Sequence, residues 1–570
     1  MGDIKTTDSY GSARWANPED LADEGILHFS QSEYQNQPPS NLHRSARAQY
    51  VKNSAIARSF LLGRLGDPAV LTRGIREGYE QATQGMFEGL KSLFVGGSRK
   101  SNGPAEGKYI GWAGDGHILT VAPTRSGKGV GLVIPNLLHY PGSVLVVDPK
   151  GENYAVTHKF REKVLGQKIV CLDPFHIVLD ENEESDSINP FDGIVDYSQP
   201  KSTYIQQNPE LLDEANMIAD SLIMRSPEEK DPHWNDKCRT LLKGLILAVI
   251  CGYGRPIDSY NPAKGQRRHL SEVRYLLTLG VKDFSTLLVD MEFDKKAAGG
   301  LLSRASLEIQ SMGKEEQKNV ISFALKHTEF LDTPLVEQCL GEEDLRYRGS
   351  YNLRDLKTQG GVSIYMILPP HYLTRYVRLF RLWITMAMAA MTRTAQKPAD
   401  GCPVLFMLDE MAQLGTMEMM RQAVSLLAGY GMSVWMIWQD LSQLKALYEH
   451  DWPSFIANAK IQQFFGINDH ETAKYISEML GTATICVQTS SEGSGRGSAD
   501  FKLFSGSHST NQSVSYSEKE RNLLSPDEVR RLNREAMLMF VQGIPPILAE
   551  RISYFKDSLF NSKYEKNPYI

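Results

Sequence analysis

Short apolar runs of four to seven residues recur in two groups along the chain, with helical periodicity between them. The first group is Ile118–Val121, Val144–Val147 and Ile169–Leu172. The second is Val362–Leu368, Val404–Leu408, Val434–Trp438 and Ile461–Phe465. Runs this short, apolar throughout rather than alternating, suit strands buried on both faces of a parallel sheet. Between the groups, Ala215–Met224, Trp234–Ile250, Glu272–Leu279 and Ser303–Phe330 carry helical spacing, as do Arg375–Thr392 and Met417–Leu427 within the second group. The expectation is an α/β domain built from residues 117–207 and 344–570, split by an all-helical insertion over 208–343. A parallel sheet tolerates such a split because insertions enter at loops.

The ends of the chain read differently. Residues 1–116 predict an N-terminal arm, partly helical near Pro18–Gly25, with an amphipathic helix over Leu71–Phe94 and a Gly/Ser-rich linker at Gly96–Gly107. The apolar face of that helix (Ile75, Tyr79, Met86, Phe87, Leu90, Phe94) packs on its own domain or docks on a membrane or partner. Residues 488–517 hold ten Ser, four Gly and two Thr, and predict a mobile loop. Ser525-Pro526-Asp527-Glu528 is a capping box that opens a helix. Ala536–Val541 and Ile547–Phe555 flank Gly543–Pro546 as a terminal hairpin.

Composition narrows the class without naming it. At 570 residues, with 41% hydrophobic and 23% charged, the chain is neither disordered, collagen-like nor a disulfide scaffold. Its net charge of −6 excludes a general nucleic-acid coat, so any nucleic-acid contact must be a local basic surface. The six cysteines form no CxxC pair and read as reduced core thiols. Of the longest charge-free apolar stretches, Gly244–Gly254 and Leu382–Thr392 are too short to span a bilayer, and Gln422–Gln439, with Gly429-Tyr-Gly431 inside it, reads as helix, turn and strand; the polar N-terminus predicts no signal peptide.

Candidate chemistry sits at strand ends. Ala122-Pro-Thr124-Arg125-Ser126-Gly127-Lys128-Gly129-Val130 follows the first strand and precedes a helix. Small residues there let backbone N–H groups cradle phosphates, and a lysine reaches the β and γ phosphates. Two positions depart from the usual pattern: Ala122 replaces the first glycine, and Gly129 replaces the hydroxyl residue that ordinarily faces Mg²⁺. Val404–Leu408 ends in Asp409-Glu410, where an Asp suits Mg²⁺ and a Glu suits activation of water. Gln439 ends the next strand, and an amide there can sense a γ-phosphate. Arg421 is the leading candidate for an arginine finger acting in trans, ahead of Arg393 and Arg354. Lys150 and Glu152, in Asp148–Asn153, form a plain turn or touch nucleotide or a neighbouring subunit.

These segments resemble the coupling proteins of type IV secretion systems, the TraG-type conjugation ATPases. The likeness rests on GSARWANPEDL at Gly11–Leu21, APTRSGKGVGLVIPNLL at Ala122–Leu138, VVDPKGEN at Val146–Asn153, INPF at Ile188–Phe191 and DPHWNDKCRTLLKGLI at Asp231–Ile246. FMLDEMAQLG at Phe406–Gly415, AGYGMSVWMIWQDLSQL at Ala428–Leu444 and LLSPDEVRRL at Leu523–Leu532 complete it. The resemblance implies a RecA-like P-loop domain carrying an all-helical, substrate-selecting domain. It implies a homohexamer of the FtsK/HerA type with ATP sites between subunits. ATP and Mg²⁺ are the implied cofactors. Gly127 and Lys128 would bind phosphate, Asp409 would handle Mg²⁺ directly or through water, Glu410 would activate water and Gln439 would sense nucleotide. Implied partners are single-stranded DNA with its relaxase, secreted proteins and inner-membrane secretion components. The implied place is the bacterial cytoplasm beside the inner membrane. Family members often carry transmembrane helices before the segment resembling Gly11–Leu21, and none is expected in this chain. The other functions considered are a substrate receptor whose nucleotide only sets assembly, and a double-stranded DNA pump.

Overall fold

The computed structural model describes residues 14–16, 26–30, 59–64, 109–180, 183–192, 194–196, 198–224, 233–257, 266–341, 351–494 and 510–569. Its centre is a mixed twelve-stranded sheet. Seven neighbouring strands run parallel in the order β10-β4-β9-β8-β5-β7-β6. They are β4 (His117–Val121), β5 (Val144–Val147), β6 (Lys168–Leu172), β7 (Val362–Met366), β8 (Val404–Leu408), β9 (Met432–Trp438) and β10 (Ala459–Phe464). Every residue of β4, β5, β7, β8 and β9 is buried, which is why these segments are almost wholly apolar, with only His117, Thr120, Ser363 and Ser433 as polar members.

The sheet continues antiparallel beyond β10 through β13 (Ala536–Val541), β14 (Ile547–Glu550), β2 (Phe60–Arg64), β3 (Tyr109–Trp112) and β1 (Ile26–Phe29). The N-terminal region is therefore more than an arm, since three of its segments extend the sheet. Each strand is only four or five residues long, too short to announce itself by periodicity. Phe60 stacks on Tyr140 with ring centroids 4.6 Å apart, and Asn136 bonds both the N–H and the C=O of Leu61 at 2.8 Å. The N-terminal strands are thus tied to the helix Ile134–His139 that follows the candidate phosphate loop. The expected helices at Pro18–Gly25 and Leu71–Phe94 and the linker Gly96–Gly107 lie outside the described residues.

The stretch expected as a mobile loop, 488–517, falls within the paired strands β11 (Thr482–Ser494) and β12 (Thr510–Asn522) wherever it is described. An antiparallel ladder satisfies its backbone groups internally, so a Ser/Thr-rich ribbon needs little apolar burial to pair. Residues 495–509 lie outside the described residues.

The helical segment holds helices at Leu211–Leu222, His233–Ile250, Leu270–Leu277, Val281–Phe293, Leu301–Gln310 and Lys314–Thr328. The single helix expected over Ser303–Phe330 breaks at Ser311–Gly313, and Val281–Phe293 is an additional helix. These helices share one continuous core with the sheet. Arg381, itself buried, donates to the carbonyls of Ser221 and Ile223 on the helical side and of Leu414 and Thr416 after β8. Among the described residues no helix is long and apolar enough to cross a membrane, and Cys171, Cys238, Cys251, Cys339 and Cys402 are buried.

A second buried cation pins the parallel strands. Arg161, fully enclosed, donates to the carbonyls of Leu137, Tyr140 and Gly142 and to the side chains of Gln167 and Ser363 at 2.6–2.9 Å. Burial without a carboxylate partner lowers its pKa to about 10. Arg161→Ala leaves those acceptors unpaired and is expected to cost about 3 kcal/mol or more, read by denaturant unfolding. His117 and His327 are buried, and burial lowers both to about 4. The unfolded chain binds protons nearer 6.5, so it holds more protons than the folded chain between those values. Each histidine therefore contributes stability that is lost as pH drops from about 6.5 toward about 4, while Asp148 and Asp409, raised by burial to about 7 and about 6, act in the opposite sense. The His117 contribution is read by difference: in thermal melts over that window, His117→Gln is expected to lose less stability on acidification than the wild type.

Candidate functional site

The C-terminal ends of β4, β9, β8 and β5 lie side by side, with Val121 opposite Trp438, Met436 opposite Leu408, and Leu408 opposite Val147. Their loops therefore emerge on one edge, where open parallel sheets place ligands.

After β4 the chain turns sharply. Arg125 and Gly127 take left-handed backbone angles, φ 61° and 85°, and Ser126 closes the turn on the Pro123 carbonyl through its N–H and hydroxyl. Thr124 and Arg125 are exposed at the crest, Ser126, Gly127, Gly129 and Val130 are half-buried, and Lys128 is buried at the foot. The helix then begins as a π-type turn over Gly129–Val133 and continues α-helical from Ile134.

Lys128 Nζ lies 3.4 Å from Glu410 Oε1, and Gln439 Nε2 donates to Glu410 Oε2 at 2.7 Å. The phosphate-loop lysine, the β8 carboxylate and the β9 amide thus meet at one side chain. Glu410 has a left-handed backbone, φ 58°, which a non-glycine residue adopts only under local constraint. The preceding Asp409 accepts the Glu410 N–H at 3.1 Å.

Burial sets the electrostatics of this edge. Desolvation raises Asp409 to about 6, with Glu410 and Glu152 repelling it and Lys128 opposing the rise. Desolvation raises Asp148, at the end of β5, to about 7, against its bonds from the Tyr154 N–H and Asn153. Lys128 already faces Glu410, so one cation serves several carboxylates. A hard divalent ion fits this all-oxygen set. Among the described residues no group of three or more His, Cys, Asp or Glu could hold a metal, so phosphate oxygens or water would complete its shell.

The three arginine candidates sit elsewhere. Arg421 pairs with Asp451 at 3.0 Å and Glu418 at 3.2 Å, and Arg393 pairs with Glu214. Arg354 sits just before the short helix Asp355–Thr358. Lys150 points to solvent, while its carbonyl accepts the Tyr569 hydroxyl at 2.7 Å.

Sequence reasoning missed Arg551. Its guanidinium donates to the Ser126 carbonyl in the phosphate loop, lies 4.8 Å from the centre of the Phe465 ring, and also donates to the Arg534 carbonyl. It directly follows β14, the second strand of the terminal hairpin, 425 positions away from Ser126, with no motif around it.

Sheet, loop and strand-end acids together define a RecA-like P-loop α/β protein. The family described as "Type IV secretory system Conjugative DNA transfer" matches residues 80–569, and the chain belongs to it. It is 28% identical over 498 residues to a conjugal transfer protein TraG of Escherichia coli, spanning 83% of this chain and 72% of that one. It is 26% identical over 481 residues to protein VirD4 of Rhizobium radiobacter, covering 81% of this chain and 60% of that protein. Among solved structures, plasmid coupling protein TrwB in complex with the non-hydrolysable ATP analogue ADPNP aligns with a TM-score of 0.52 at 15% identity, over 77% of this chain and 85% of that chain. TrwB in complex with ADP and Mg²⁺ aligns equally well, at 0.52 and 16% identity, over the same shares. At these identities the structural likeness carries the fold.

Gly127 tests the loop directly. A Cβ there would lie 2.9 Å from Arg551 Nη1 on a left-handed backbone. Gly127→Ala is expected to weaken nucleotide binding by roughly tenfold or more, from about 1–3 kcal/mol of strain, with little change in fold by circular dichroism.

Proposed function

We propose that this chain is an ATP-hydrolysing coupling protein that brings relaxase-bound single-stranded DNA, or a protein substrate, to a type IV secretion channel. Family membership supports the system, and the convergence of Lys128, Asp409, Glu410 and Gln439 on one sheet edge carries the activity. The loop Thr124–Val130 binds the phosphates, with Gly127 giving close approach and Lys128 meeting the β and γ groups. Asp409 holds Mg²⁺, which supplies charge neutralisation along the phosphates.

In the present geometry Lys128 is occupied by Glu410. Phosphate draws the lysine away and leaves the Glu410 carboxylate free to orient water and take its proton. Gln439, bonded to Glu410 Oε2, ties the state of that carboxylate to β9 and the helix Leu441–Leu447 beyond it. Positive charge at the transition state comes from a neighbouring subunit of a homohexamer, with Arg421 the leading candidate. Residues 208–343 form the substrate-selecting unit, and the buried Arg381 bridge connects them to the turn after Glu410. The protein works from the cytoplasm at the inner membrane, against membrane components of the secretion system.

Lys128→Ala is expected to abolish ATP hydrolysis. Glu410→Gln is expected to lower turnover by about 10²–10⁴-fold while retaining bound ATP. Turnover measured across protein concentration, with and without single-stranded DNA, checks both. Wild-type rates in the two variants under all those conditions would refute the assignment.

A further inference from the structure

The phosphate loop has one missing part. The residue after Lys128, where a hydroxyl ordinarily faces the cation, is Gly129. The structure shows what stands in that direction. A Cβ built on Gly129 meets one heavy atom within 4 Å, Glu152 Oε2, at 3.9 Å. A carboxylate oxygen therefore stands within ordinary contact distance of the point from which a serine side chain would project.

Glu152 is not a loose surface acid. It opens the helix Glu152–Lys163 directly after the β5 loop. Its other oxygen, Oε1, accepts the Asn567 side-chain N–H at 2.7 Å. Asn567 is buried, donates also to the Tyr554 hydroxyl at 2.9 Å, and accepts the Tyr569 N–H at 2.8 Å. The chain's last turn thus holds one Glu152 oxygen and leaves the other turned to the loop. Asp409 feels the Glu152 charge, which places both carboxylates in the same field. Like charges at such range repel in a protein-like medium, so a carboxylate beside bound phosphates is favoured when a cation lies between them.

We propose that Glu152 replaces the absent loop hydroxyl, presenting Oε2 to the Mg²⁺ of a Mg–nucleotide, directly or through water, with Asn567 as its positioning residue. This rests on the reading of Thr124–Val130 as a nucleotide loop. It adds a metal-facing group drawn from a different strand end, and it gives the C-terminal segment a role in the site.

The test measures affinity rather than turnover: binding of a fluorescent ADP to the full chain, with Mg²⁺ and with chelator. In the wild type Mg²⁺ should tighten binding. Glu152→Gln keeps the shape and the Asn567 bond, and should lose most of that gain, about tenfold or more, while metal-free affinity stays or rises. Gly129→Ser in the Glu152→Gln background should restore the Mg²⁺ effect. The backbone at Gly129 is not left-handed and its nearest neighbour is at ordinary contact distance, so a serine fits. Asn567→Ala should shift the Mg²⁺ dependence the same way by less. A full Mg²⁺ effect in Glu152→Gln overturns the proposal, as does a failure of Gly129→Ser to restore it. Unchanged binding in Lys128→Ala would overturn the nucleotide reading itself, a result separable from either.

Discussion

The candidate site depends on the register of four adjacent parallel strands. Because β9 lies between β4 and β8, and β5 on the far side of β8, the residues that follow each strand reach the same level. A slip of one residue in any of them would exchange its two buried faces, mismatching both layers of packing, and carry its functional residue away from the edge. Full burial of these strands makes such a slip costly. Arg161 adds a polar lock, joining the loop before β5 to a side chain on β7 through bonds that only one alignment satisfies.

Strain and desolvation are concentrated at that edge. Glu410 holds a left-handed backbone, and burial pushes Asp148 and Asp409 toward neutrality, with Glu152 repelling both. An arrangement that is unfavourable alone and balanced by a bound cation and phosphate is what a ligand-driven switch requires. The Arg381 bridge gives that switch a mechanical outlet, since the turn after Glu410 and the helix Leu211–Leu222 meet on one buried side chain.

Much of this was legible in the order of residues. Parallel strands buried on both faces become largely apolar runs, so β4, β5, β7, β8 and β9 stood out, and residues at their ends marked Lys128, Asp409, Glu410 and Gln439 as neighbours. Short edge strands carry no such mark. β1, β2 and β3 are recruited by the aromatic and Asn136 contacts of distant residues, which no local pattern encodes. Arg551 and Asn567 are single polar residues near the C-terminus whose meaning lies wholly in what they touch. The ribbon β11–β12 was hidden by its composition, because serine and glycine suggest mobility whereas pairing depends on backbone groups common to every residue.

The central claim is that this strand edge binds a Mg–nucleotide and that binding redirects Lys128. Its most direct measurement is a structure of the full chain with a non-hydrolysable ATP analogue and Mg²⁺. The account predicts phosphates over Thr124–Val130, Lys128 moved from Glu410 onto them, and Asp409 facing the ion. Nucleotide bound elsewhere, or a Lys128–Glu410 pair that persists at 3.4 Å beside bound phosphate, would contradict it.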